Sequence, residues 1–155
     1  MRLAELYPAN EKINLGSHHF DADAIIRYAR QFDPQPFHVD ADAARHSLFG
    51  GLCASGWHTC AGWMKTFVAF WSAEYIRLKK AGIAPPELGP STGFRKLRWF
   101  RPVFAGDTIT YSVMLLTSRP LASRPGRLIN TIVCEGKNQH GEPVVSFESI
   151  VLEFV

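Results

Sequence analysis

A chain of 155 residues buries one real core and is too short for two ordinary domains, and its 46% hydrophobic and 20% charged residues exclude a disordered chain, so residues 1–155 read as a single domain. The formal charge of +3 includes no block of like charge, which argues against a nucleic-acid tail or a membrane-surface helix and leaves a small molecule as the expected partner. Cys53, Cys60 and Cys134 have no short paired spacing. They exclude a disulfide framework and a zinc knuckle and read as free thiols in a reducing, cytoplasmic compartment. The opening "MRLAELYPANEKI" has no long apolar run of the secretory kind, and no stretch approaches the ~18 apolar residues of a membrane span.

In chain order, an extended segment is predicted near "KINLGSHHF". A helix follows over "DADAIIRYARQF", where Ile25, Ile26, Ala29 and Phe32 recur at helical spacing and Asp21 is placed to cap. The stretch "RQFDPQPFHVD" then sets Asp33 and His38 five residues apart with Pro34 and Pro36 between them. Proline cannot sit inside a helix without losing a donor, and it pushes the residue before it toward extended geometry, so Asp33 and Gln35 belong to a stiff, irregular loop. Two readings stay open here. Asp33 caps a helix running into "HVDADAARH", or the carboxylate and the imidazole form a preorganised site.

The longest signal is Trp57, Cys60, Ala61, Met64, Phe67, Val68, Trp71, Tyr75 and Leu78, spaced by threes and fours and ended by Lys79, Lys80 and Gly82. It predicts one helix of about seven turns. Ser55 is placed to cap it, and Gly50, Gly51, Ala54 and Gly56 let a ligand approach the backbone closely. Phe67, Phe70 and Trp71 sit at core spacing, and His58 is expected to be a hydrogen-bonded structural histidine. Pro85 and Pro86 close the helical half. From "STGFRKLRWFRPV" onward the chain turns to strand chemistry in "DTITYSVMLLTS", "GRLINTIVCEGKN" and "VVSFESIVLEFV", each bounded by turn residues. The second half is therefore predicted to be a meander of antiparallel strands. An apolar sheet face and one long apolar helix satisfy each other if the sheet curls around the helix, which is an α+β hot-dog fold.

Three motifs in this order, "FDPQPFHVD", "FGGLCASGWHT" and "LRWFRPVFAGDTIT", resemble the MaoC-like dehydratases, a family that includes the (R)-specific enoyl-CoA hydratases. The resemblance covers most of the chain and favours the catalytic reading of Asp33 and His38. It implies hydration of an enoyl-CoA to an (R)-3-hydroxyacyl-CoA, or the reverse dehydration, with Asp33 and His38 holding the water and the Gly56 N–H meeting the thioester oxygen. Gln35 stands where the family usually has asparagine and Phe37 where it usually has an aliphatic residue. Gln35, Ser55 and Thr59 are the expected supporting groups, with Met64 and Cys60 in the region where the family has a helix serine.

The basic residues Arg95, Lys96, Arg98 and Arg101 are candidates for coenzyme A phosphates, since guanidinium forks and ammonium groups suit phosphate oxygens. No metal or cofactor is expected beyond the acyl-CoA or acyl-carrier thioester that serves as substrate. A homodimer with an interfacial pocket is the expected minimum assembly. Two alternatives compete: a hot-dog acyl-CoA thioesterase, for which the first acid of the long helix, Glu74, stands far from the helix start, and a non-catalytic acyl-thioester binding module.

Overall fold

The computed structural model describes all 155 residues. In chain order it runs α1 (Leu3–Leu6), β1 (Lys12–His19), α2 (Ala22–Phe32), α3 (Pro36–Val39), α4 (Ala41–Arg45), α5 (Gly56–Lys80), β2 (Glu87–Trp99), β3 (Thr108–Pro120), β4 (Arg127–Lys137) and β5 (Pro143–Phe154). The five strands form one antiparallel sheet in the order β1-β3-β4-β5-β2, and α5 lies along it. This is the hot-dog fold. Asp21 caps α2 as its sequence position implies, accepting from the Ala24 amide at 2.8 Å. The meander is real for β3, β4 and β5, but β2 does not join it next to β3. It pairs with β5 at the opposite edge, and it starts at Glu87, four residues before the predicted strand chemistry. Strand β2 is also irregular, with three register shifts and positive φ at Gly93 and Lys96.

Strict alternation along β4 sends Leu128, Asn130, Ile132, Cys134 and Gly136 inward. The matching layer on α5 is Thr59, Gly62, Trp63 and Thr66. Trp63 is 2% exposed, stacks flat on Phe67 and donates its indole N–H to the Ser112 carbonyl at 3.0 Å, so its one polar atom is satisfied. Truncating such a side chain to alanine costs about 3–5 kcal/mol. Tyr111, on β3, sends its hydroxyl up to donate to the Thr59 carbonyl at 2.7 Å. A Cβ on Gly62 would lie 2.6 Å from that hydroxyl, and one on Gly136 2.9 Å from the tyrosine ring. Two glycines therefore make room for one tyrosine.

The C-terminal half of α5 covers a wholly apolar cavity of about 40 Å3, lined by Phe67, Phe70, Trp71 and inward strand residues and closed by Leu3 and Tyr7 of the N-terminal segment. Phe67 and Phe70 are half-buried and pack against the core, and Trp71 joins them at the cavity wall. Two polar contacts fasten the closure. The Tyr7 hydroxyl donates to Glu74, which Arg77 also binds, and the Leu3 amide donates to Glu153 at 2.8 Å. No helix is long and apolar enough to cross a membrane.

Candidate active site

Helix α2 stops at Phe32 because Pro34 follows. Asp33 becomes its C-cap, donating its amide to the Ala29 carbonyl at 2.8 Å outside the helical conformation. Gln35 then donates its amide to the Asp33 carbonyl at 2.8 Å and serves as the N-cap position of α3, with Pro36 in the first turn. The capping role that competes for Asp33 in the sequence falls instead to Asp40, whose carboxylate accepts from the amides of Asp42 and Ala43 at 2.9 and 3.1 Å. The Asp33 side chain is left for other work. Its Oδ1 accepts from the Gln35 amide group at 2.7 Å, and its Oδ2 lies 3.4 Å from His38 Nε2.

His38 is 6% exposed and its Nδ1 lies 2.6 Å from the Cys53 carbonyl oxygen. A carbonyl can only accept, so Nδ1 carries the hydrogen, and Nε2 of the neutral ring presents a lone pair to Asp33. Two acceptors 3.4 Å apart cannot bond each other, but they are placed to take both protons of one water. That would leave the water oxygen's lone pairs free for an electrophile.

Burial raises the pKa of Asp33, but the Ser55 hydroxyl, the Gln35 amide and the positive charge that His38 carries when protonated together outweigh it, and the carboxyl is held below its ordinary range. Ser55 occupies the N-cap position of α5 and makes no cap bond. Its hydroxyl is buried and bonds no backbone group, and as a donor it lowers the Asp33 carboxyl, so the expected capping role is replaced by support of that carboxylate. Burial, and then the Asp33 charge, push the Cys53 thiol up to about 11, which removes it as a nucleophile although its Sγ is 3.7 Å from His38 Nδ1.

The loop and α5 meet because residues 52–54 pair with 103–105: the Ala54 amide donates to the Val103 carbonyl at 2.7 Å, and the Ala105 amide to Leu52 at 3.0 Å. This pairing joins the second and third sequence motifs around a cleft of about 500 Å3. Asp33, Gln35, His38, Ser55, Gly56 and Thr59 all line it, so the predicted catalytic and supporting residues converge. Met64 does not line it and is half-exposed, whereas Thr59 is buried, its hydroxyl bonded back to the Ser55 carbonyl. Of the four basic candidates only Arg101 reaches the cleft. Arg95 and Lys96 are ion-paired with Glu148 at 2.6 and 2.9 Å, and the Arg98 guanidinium lies over Phe100. The pairing of β2 with β5 sets Arg95 opposite Glu148, which holds both Arg95 and Lys96.

The Gly56 amide, at the positive end of α5, donates to no acceptor of the chain. Gly56 also has a packing reason to be glycine. Its absent Cβ would lie 2.4 Å from the Trp99 indole, whose N–H donates to the Gly56 carbonyl at 3.0 Å. Any larger residue here displaces Trp99, so a substitution at Gly56 disturbs packing and the amide together. Trp99 and the Cys53 carbonyl are the site elements that sequence reasoning misses. A backbone acceptor leaves no residue-type signal, and Trp99 reads only as one more strand aromatic. His58 also departs from expectation, because its ring is held by stacking on Tyr28 and by an edge contact with Phe20 while Nδ1 has no hydrogen-bond partner.

A family model described as "MaoC like domain" matches residues 8–124. The chain is similar to a MaoC-like dehydratase of Rhodospirillum rubrum, at 36% identity and TM-score 0.80 over 99% of this chain and 97% of that one. Its fold is also like that of the R-hydratase PhaJ1 of Pseudomonas aeruginosa, at 24% identity and TM-score 0.64 over 92% and 79% of the two chains. In sequence it is 28% identical over 130 residues to the uncharacterized protein YdeM of Bacillus subtilis, covering 84% of this chain and 83% of that one. With three quarters of its length matched and its motif residues gathered around one cleft, the chain belongs to the MaoC-like dehydratase family.

Proposed function

We propose that the protein adds water to, or removes it from, the 2,3 position of an acyl thioester, interconverting an enoyl-CoA or enoyl-carrier thioester and its 3-hydroxyacyl form. The observation that carries this reading is the pair of acceptors, Asp33 Oδ2 and His38 Nε2, 3.4 Å apart in a cleft that also holds an unpartnered helix amide. In hydration the water held by the pair attacks C3, the electrons of the double bond move toward the thioester carbonyl, and the pair takes one water proton. The Gly56 N–H and the α5 dipole stabilise the enolate oxygen. The pair then returns a proton to C2. Hydroxyl and hydrogen are added across one double bond with no change of redox state.

The relatives support the chemistry, since one is described as a dehydratase and another as an R-hydratase. Against a thioesterase layout, Glu74 is bound to Tyr7 and Arg77 beyond the apolar cavity, well away from the cleft. The working assembly is a homodimer: α5 leaves Trp57, Met64, Val68 and Ile76 about half exposed, and β2 leaves Phe94 and Trp99 exposed beside the cleft. The deciding experiment incubates the native protein with crotonyl-CoA and longer trans-2-enoyl-CoAs and follows both the conjugated-thioester absorbance and free thiol. Loss of absorbance without thiol is the expected outcome. Thiol release identifies a thioesterase, and no change in either signal identifies a binding module.

A further inference from the structure

A second cleft, of about 620 Å3, opens between α2, α5 and β1. Arg27, Arg30, Lys65, His18 and His58 line it, and no carboxylate does. Arg27, Arg30 and Lys65 are in no ion pair, although Lys12, Arg45, Arg77, Arg95, Lys96 and Arg101 all have acidic partners elsewhere on the molecule. Three unpaired cations around one concavity create a local positive potential that favours an anion. Asp21, the acid whose charge reaches both rings and Arg27, is engaged as the N-cap of α2. At the wall of the cleft, His58 is 8% exposed, stacked on Tyr28 at 4.4 Å, and its buried Nδ1 has no partner. An unpaired buried polar atom costs about 1–3 kcal/mol, so a polar site without a use is not expected to persist here.

We propose that this cleft binds a phosphate-bearing anion, held by the guanidinium groups of Arg27 and Arg30 and the Lys65 ammonium beside the two histidine rings. Guanidinium forks match phosphate oxygens two at a time and the ammonium adds a point charge. The histidines report on the same field. Burial and then His18 depress His58 to about 4, with Asp21 opposing, while burial, Lys65 and His19 lower His18. A bound dianion opposes the repulsion that Lys65 and His19 exert on His18 and that His18 exerts on His58, so both rings titrate at higher pH when it is present. Two sources share this chemistry: the nucleotide phosphate of a coenzyme A thioester, or free phosphate. The cleft and the Asp33 site both draw on the first turns of α5, through His58 in one and Gly56 and Thr59 in the other. Only the first source rests on the acyl-thioester reading.

The test follows the His18 and His58 ring resonances of the native protein by NMR during titration with inorganic phosphate and, separately, coenzyme A. Ionic strength is held constant with chloride. Saturable shifts of both rings, with titration midpoints raised by the ligand, are expected. Lys65→Gln and Arg27→Gln, both at exposed positions, should each weaken binding by about tenfold or more. If the anion is the substrate's own, coenzyme A binds more tightly than phosphate, and Lys65→Gln raises KM for an enoyl-CoA but not for the matching enoyl-pantetheine thioester, with kcat unchanged. If it is free phosphate, KM is unaffected in Lys65→Gln while phosphate binding is still lost. Shifts no larger than chloride produces, or variants that bind as the native protein does, overturn the proposal. The ring titration needs no turnover, so its result stands whether or not the enoyl-CoA assay succeeds.

Discussion

Two low-exposure carboxylates, Asp33 and Glu153, have opposite surroundings. Glu153 is 1% exposed and both oxygens are used: Oε1 accepts from the Leu3 amide and Oε2 from the Asn130 side chain, each at 2.8 Å. It lines none of the clefts described above, and both its oxygens are engaged. Asp33 has one oxygen bound by Gln35 and the other facing an imidazole lone pair across 3.4 Å in an open cleft. A saturated, sealed carboxylate stabilises, whereas a half-satisfied one beside a second acceptor holds something for a reaction. Burial alone does not separate the two roles; the count of unspent lone pairs does.

That contrast breaks first at Asp33. Asp33→Asn keeps the shape but removes the proton acceptor, and turnover of an accepted enoyl-CoA should fall by about 10²–10⁴-fold while the melting temperature stays within a degree or so. Because Asp33 and His38 act on one water, Asp33→Asn combined with His38→Gln should be little slower than either alone. Retained turnover in the asparagine variant would place Asp33 with Glu153 as a structural acid.

Glu153→Ala probes the other side. It strands the Leu3 amide and the Asn130 side chain in an apolar setting, which should cost about 2–3 kcal/mol and lower the melting temperature by several degrees. Turnover per folded molecule should be unchanged. A drop in turnover with an unchanged melting temperature would show that the two carboxylates are not functionally separate.

The smallest effect sharpens the comparison through pH. Asp33 is held below its ordinary value of 3.8, so its ionised form persists above that value and is lost as pH falls through the lower folded one. Gln35→Ala removes the 2.7 Å bond to Oδ1 and brings the carboxyl back up. The acid limb of the rate profile should therefore shift to higher pH, with less than about a tenfold loss at neutrality. An unmoved acid limb would mean that Gln35 positions the loop without tuning the acid.

Much of this was legible in the sequence. The spacing along α5, the alternation along β3 and β4 and the proline-locked Asp33 loop each follow from local chemistry that tertiary contacts do not override. Ser55 stands at a capping position in sequence, but its hydroxyl serves Asp33, a residue 22 positions earlier in the chain, and local pattern does not contain that contact. The sequence offers Arg95 and Lys96 to a phosphate because Glu148, which pairs with both, is remote in sequence and adjacent only once β2 crosses to pair with β5. Trp99 over Gly56 and the Cys53 carbonyl under His38 are contacts between motifs, and no motif read singly contains them.

Tyr111 has a consequence for how freely this sequence can drift. One side chain takes the Cβ space of Gly62 on the helix and of Gly136 on the neighbouring strand, and its hydroxyl holds the turn of α5 that carries Thr59. Enlarging either glycine demands a smaller residue at 111, and shrinking residue 111 frees the helix to shift in height above the sheet, carrying Gly56 relative to Asp33. Positions 62, 111 and 136 are therefore expected to change together in natural variants or not at all, a covariation set by the geometry of a single phenol ring.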